Sequence, residues 1–142
     1  MCRSRVPGTC SLGRRVFRST AAQLATKRLR KMADWFSVDC GHVRHLQNAE
    51  NAIACVQDAL KTGQEFRVAF DWVRFDSRGT VGLIENSTGL HEVDAVDFRR
   101  GTEVLVEVSD CPKHSIETIS YRDDLVLSCL FTEREDDLGP TF

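Results

Sequence analysis

Residues 46–85 read LQNAENAIACVQDALKTGQEFRVAFDWVRFDSRGTVGLIE, and the change of period inside this stretch decides the fold class. Leu46, Ala49, Ile53, Val56 and Leu60 recur at spacings of 3 and 4, which sets them on one face of a helix. Asn48 stands where an N-cap belongs, and Gly63 follows Lys61 and Thr62 as a C-terminal stop. Glu50, Asn51, Gln57, Asp58 and Lys61 make the opposite, solvated face. From Gln64 the period becomes two. Phe66, Val68, Phe70 and Trp72 alternate with Arg67, Ala69 and Asp71, as in a half-buried strand. Val73 and Phe75 continue the apolar set out of phase, which predicts a bulge near Trp72 and Val73 and an exposed apolar patch. Residues 76–79 form a turn with glycine last, and residues 80–85 return as the partner strand.

Working outward, residues 33–39 form a short apolar strand and residues 40–45 a loop opened by Gly41. Residues 86–89 break the chain, and residues 92–98 are expected to make one helical turn. Val104, Val106 and Val108 mark another strand, residues 110–114 a loop, and residues 115–121 and 125–131 two strands around a turn at 122–124. The expectation is an α+β fold: one amphipathic helix packed on a mostly antiparallel sheet of five to six strands. It fills a single acidic domain over residues 32–131, followed by an acidic frayed tail over residues 132–142.

Charge divides the chain at the same place. Residues 1–31 carry +9 and no acidic residue, whereas residues 32–142 carry −11. The basic head is expected to be disordered, as a start-site extension upstream of Met32 or a transit-like segment. A nucleic-acid arm is a third reading, which phosphate repulsion by the acidic domain disfavours. Within the head, Ala21, Ala22, Ala25 and Leu29 would share one side of a weakly amphipathic helix. The six cysteines are too few for a small disulfide scaffold in a chain of 142 residues, and are expected to be reduced. Cys55 and Cys129 read as small buried hydrophobes. No apolar run approaches the roughly 18 residues that span a bilayer. These features suggest a cytoplasmic protein, or a mitochondrial one if the head is a transit peptide.

Three groups of residues bear chemistry. Cys40, His42 and His45 on one loop, with Cys111 and His114 on another, offer zinc-type ligands if the loops meet. Asp71, Asp76, Glu85, Glu92, Asp94 and Asp97 supply carboxylates, expected on a solvated surface. His91 ends the string Asn86-Ser87-Thr88-Gly89-Leu90-His91. That string resembles the active-site loop of the HPr phosphocarriers of the sugar phosphotransferase system, in which Gly-Leu-His precedes a helix and the histidine takes a phosphoryl group. The resemblance implies a phosphoacceptor at His91. The element order is similar to that family's β-α-β-β-α-β-α layout, which would instead place the acceptor at His42 or His45. The family continues Ala-Arg-Pro-Ala, whereas Glu92-Val93-Asp94 follows here.

No Gly-rich phosphate loop, Gly-x-Ser-x-Gly elbow or His-Glu-x-x-His motif occurs. The expected function is therefore a small soluble binding or interaction domain without catalysis or cofactor. Its partner would be a protein or small molecule, not nucleic acid or membrane, with self-association through a sheet edge as a further expectation. The alternatives are an HPr-like histidine phosphocarrier and a small zinc-binding domain.

Overall fold

The computed structural model describes residues 19–98, 103–112 and 116–129. The elements in chain order are α1 (Ala21–Met32), β1 (Val38–Val43), α2 (Glu50–Thr62), β2 (Phe66–Val73), β3 (Ser77–Asn86), β4 (Gly89–Phe98), β5 (Val104–Asp110), β6 (Ile116–Tyr121) and β7 (Asp124–Cys129). The first five strands form one sheet in the order β1-β2-β3-β4-β5, and β6 pairs with β7 in a separate sheet. The class is α+β, but the sheet is mixed and, among the described residues, two helices pack on it, not one. Strand β1 runs parallel to β2, because the intervening α2 returns the chain to the starting end. The other neighbours in the sheet are antiparallel.

One face of the sheet carries Phe66, Val68, Phe70, Trp72, Val81, Leu83 and Leu90. Helix α2 packs against β1 and β2 on this face, and β7 packs against β2 and β3. The buried stripe of α2 is Ala49, Ala52, Val56 and Ala59, with Ile53 and Leu60 partly buried beside it. Leu46, expected on that stripe, is exposed. Gly63 caps the helix in the left-handed region at φ 73°, as its position suggested. The N-cap is Ala49; Asn48 instead uses its side-chain oxygen to accept from the Glu50 amide.

The opposite face is covered by α1. Its start is a capping box: Thr20 Oγ1 accepts from the Gln23 amide, and the Gln23 side chain accepts from the Thr20 amide. Ala21, Ala25 and Leu29 are buried against Ala69, Ile84, Val93 and Ala95. Asn86 donates to the Met32 carbonyl at the helix end. The basic head is therefore not wholly outside the folded domain. Its second half is a core element, because a small-residue stripe fits a sheet face in which Gly82, Ala69 and Ala95 stand among Ile84 and Val93. At Gly82 a Cβ would lie 2.7 Å from Leu29 Cδ1. The first 18 residues and the acidic tail lie outside the described residues.

Three local expectations change. The β2–β3 register is unbroken from Phe66 opposite Glu85 to Val73 opposite Arg78, so there is no bulge at Trp72. The phase slip marks the end of the strand, and Phe75 lies in the connection at 76% exposure. The irregularity lies instead in β1 between Asp39 and His42, around Gly41 at φ 103°. Residues 92–98 are strand, not a helical turn, because β4 is held by β3 on one side and β5 on the other.

Glycine at 79 is a packing requirement. A Cβ there would lie 2.5 Å from both the Ala95 carbonyl oxygen and the Trp72 ring. Trp72 cannot swing away freely, since it stacks on Tyr121 with ring centroids 5.0 Å apart. Gly79→Ala is expected to cost about 1–3 kcal/mol or more, read as a lower midpoint in urea denaturation.

The four described cysteines are paired, contrary to the expectation of free thiols. Cys40 of β1 bonds Cys55 of α2, and Cys111 after β5 bonds Cys129 of β7. The first pair ties the crossover helix to the edge strand. The second ties the β6–β7 hairpin to the main sheet, which its backbone does not join.

Glu65, just before β2, has its carboxyl pushed above the ordinary 4.5 by a hydrogen bond with Asp34, then by burial and the charges of Asp34 and Glu85. A raised folded-state value means stability present at low pH and lost as pH rises through that value. Glu65→Gln is therefore expected to raise the melting temperature at neutral pH. The gain should vanish below the ordinary carboxylate range, as checked by melting curves across acidic and neutral pH.

Candidate functional site

Each described histidine is bonded to a carboxylate, but in three separate places. His42 follows the β1 irregularity, where Asp39 Oδ1 accepts from the Gly41 amide. Its Nε2 lies 2.8 Å from Asp71 Oδ1 on β2, and Thr80 of β3 donates to the same oxygen at 2.7 Å. This row crosses three adjacent strands on the face that α1 covers. The Asp71 carboxylate is an acceptor, so His42 Nε2 is the donor of this pair.

Two clefts flank the row. The first, about 270 Å³, lies between α1 and the β1–β2 edge and is lined by Thr26, Leu29, Arg30, Asp39, His42 and Arg67, with Ala69 at its base. Arg67 Nη2 lies 3.2 Å from Asp39 Oδ2. The second, about 290 Å³, lies at the start of α1 and includes Thr20, His45, Asp71, Arg78 and Thr80. Asp71 lines the second cleft, with Arg78, and reaches the first only through its bond to His42.

His45 belongs to a structural junction. Its Nδ1 lies 2.7 Å from Asp124 Oδ2, which also accepts from the Val73 amide at 3.2 Å, while Asp124 Oδ1 accepts from the Leu46 amide at 2.7 Å. Asp124 is only 4% exposed. One carboxylate therefore joins the β1–α2 loop, the end of β2 and the start of β7.

His91 lies on β4. Its Nδ1 is 2.8 Å from Asp110 Oδ1 and its Nε2 is 2.8 Å from Thr88 Oγ1, so both ring nitrogens are engaged. The string ending at His91 forms a strand-to-strand turn, not the approach to a helix. The helix N-terminus that would hold a phosphoryl group in the HPr arrangement is replaced by β4.

The expected zinc set is not assembled. Cys40 and Cys111 are in different disulfides, and His42 and His45 face different carboxylates. His114 lies outside the described residues. Among the carboxylates, Glu92 and Asp97 are buried, not solvated. Glu92 Oε1 accepts from Ser128 Oγ at 2.8 Å and from the Cys129 amide at 2.7 Å, and Asp97 lies 3.7 Å from Arg78.

Comparison with protein-family models, curated proteins and solved structures returns no significant match. The reading of function therefore rests on the geometry of this chain. No helix among the described residues is long and apolar enough to cross a membrane.

Sequence reasoning missed Arg30, Thr26 and Arg67 as cleft residues. Arg30 and Thr26 sit in the head, and only the docking of α1 brings them to β1 and β2. The available signal was the stripe of Ala21, Ala22, Ala25 and Leu29, which marks a helix with one side to bury.

Proposed function

We propose that this chain is a small soluble binding domain without catalysis, and that its ligand presents an anionic group to the cleft between α1 and the β1–β2 edge. The observation that carries this reading is the cleft lining: Arg30 and Arg67 beside His42, over the apolar surface of Leu29 and Ala69. Arginine forks suit carboxylate and phosphate groups, and a largely preformed cleft limits the ordering cost of binding. The folded domain is acidic overall, but the cleft lining sets two arginines against one aspartate, Asp39, because α1 contributes Arg30 to its wall. The partner class thus shifts from the basic or neutral molecules that net charge alone would favour to an anionic small molecule or peptide group.

The test is titration with inorganic phosphate and with citrate, followed by amide chemical shifts. Shifts are expected to concentrate at residues 26–30, 39–42 and 67–69. Arg67→Ala, removing a charge-assisted hydrogen bond of about 1.5–3 kcal/mol, should weaken binding about tenfold or more. Shifts scattered over the surface, or unchanged in Arg67→Ala, would remove the proposal.

The same cleft favours His42 over His91 for the phosphocarrier alternative, because His42 lies with two arginines. Phosphohistidine detection after incubation with a phosphotransfer mixture separates that reading from simple binding; absence of label at His42 excludes it. The two disulfides support work in an oxidising compartment, not the cytoplasmic one expected from cysteine usage.

A further inference from the structure

We propose that Glu92, Cys111 and Cys129 form a metal site that the Cys111–Cys129 disulfide closes and a dithiol reductant opens. One carboxylate oxygen and the two sulfurs lie within 4.8 Å of one another. Glu92 occupies a position of β4 that faces the core side of the sheet, and it is 3% exposed. Burying a carboxylate is costly. The two donors it meets, Ser128 Oγ and the Cys129 amide, are neutral, and a glutamine carbonyl would satisfy them equally. A glutamate, unlike a glutamine, also offers its second carboxylate oxygen as a ligand to a cation. The same two hydrogen bonds orient the carboxylate beside the Cys129 sulfur, as outer groups orient metal ligands.

Two thiolates and a carboxylate are a donor set for Zn2+ or a similar borderline cation, with a fourth position left for water. Cys111 is half-buried, so the site opens toward solvent on its side. This set is distinct from the two-loop set read from the sequence, whose Cys40 is tied to α2.

The gating step balances as a thiol–disulfide exchange. A dithiol transfers two electrons and two protons to the Cys111–Cys129 bond and leaves as its own cyclic disulfide. The S–S bond breaks and two cysteine thiols form. The cation then displaces the two thiol protons to solvent. In the oxidised chain neither sulfur is a thiolate, so the site takes no metal.

The test uses the full chain with Cys2, Cys10, Cys40 and Cys55 changed to serine, titrated with Co2+ before and after anaerobic reduction by a dithiol that is then removed. One equivalent of Co2+ is expected to bind only after reduction, with a thiolate-to-cobalt charge-transfer band that Zn2+ abolishes. Glu92→Gln should weaken Co2+ binding at least about tenfold. The chain with Cys2, Cys10, Cys40 and Cys55 changed to alanine decides the matter if the serine variant does not fold, and further changing Cys111 and Cys129 to serine on whichever background folds should abolish the band. No band in the reduced chain that keeps only Cys111 and Cys129, or unchanged affinity in Glu92→Gln on that background, would each overturn the site.

Discussion

A chain beginning at residue 33 is expected to lose cooperative unfolding and to expose apolar surface. Removing α1 uncovers Ala69, Ile84, Val93 and Ala95, and leaves Val104 and Val106 without their cover. Leu29 alone is worth about 2–5 kcal/mol by analogy with other buried leucines cut to alanine. Folded domains have only about 5–15 kcal/mol in total. The loss of the whole helix face therefore removes much of the margin. Thermal melting by circular dichroism and binding of an apolar dye are the measurements. A truncated chain with the same melting temperature and no added dye binding would show that α1 contributes nothing. Leu29→Ala is the graded version, with an expected loss of about 2–5 kcal/mol.

Asp124→Ala should be nearly as damaging, although it changes a single surface-turn residue in the sequence. Its carboxylate receives the Leu46 and Val73 amides and the His45 ring. A buried donor left without an acceptor costs about 1–3 kcal/mol; the donors here are only part-buried, so a loss of about 1–3 kcal/mol is expected. Asp124→Asn should fall between the two, because one oxygen remains as acceptor and the new NH2 faces a donor. Urea denaturation of the three chains checks the order. An alanine variant within experimental error of the parent would mean that the junction is satisfied by water. The effect should reach β7, since Asp124 begins that strand and couples it to β1 and β2.

How much was legible follows from the range of each interaction. Helix α2 and the β2–β3 hairpin were readable because their signals are local. The 3-and-4 spacing ending at Gly63 and the alternation from Phe66 to Trp72 concern neighbours along the chain. Strand β4 was not readable. Its alternation sets Glu92 and Asp94 against Val93 and Ala95, and sequence places acids outside. In the fold, α1 buries the valine and alanine while Ser128 and the Cys129 amide receive Glu92. Acidic residues on one side of a strand thus concealed a strand buried on both faces.

The candidate site divides in the same way. His42 was singled out from its residue type, yet its role depends on Asp71, which lies 29 positions away and becomes its neighbour only through the parallel pairing of β1 and β2. The two disulfides span 15 and 18 residues, separations that do not reveal pairing. Composition argued for free thiols, and proximity in the fold decided otherwise.

By itself, the sequence determined the α+β class, the helix at 50–62, the central hairpin and the division of charge, because each depends on periods and turns within a few residues. The tertiary structure decided whether the basic segment 21–32 is tail or core, which cysteines meet, and which histidine shares a cleft with arginines. Those outcomes depend on contacts between residues far apart in the chain: the Ala21, Ala25 and Leu29 stripe over Gly82 on one face of the sheet, and the packing of α2 and β7 on the other.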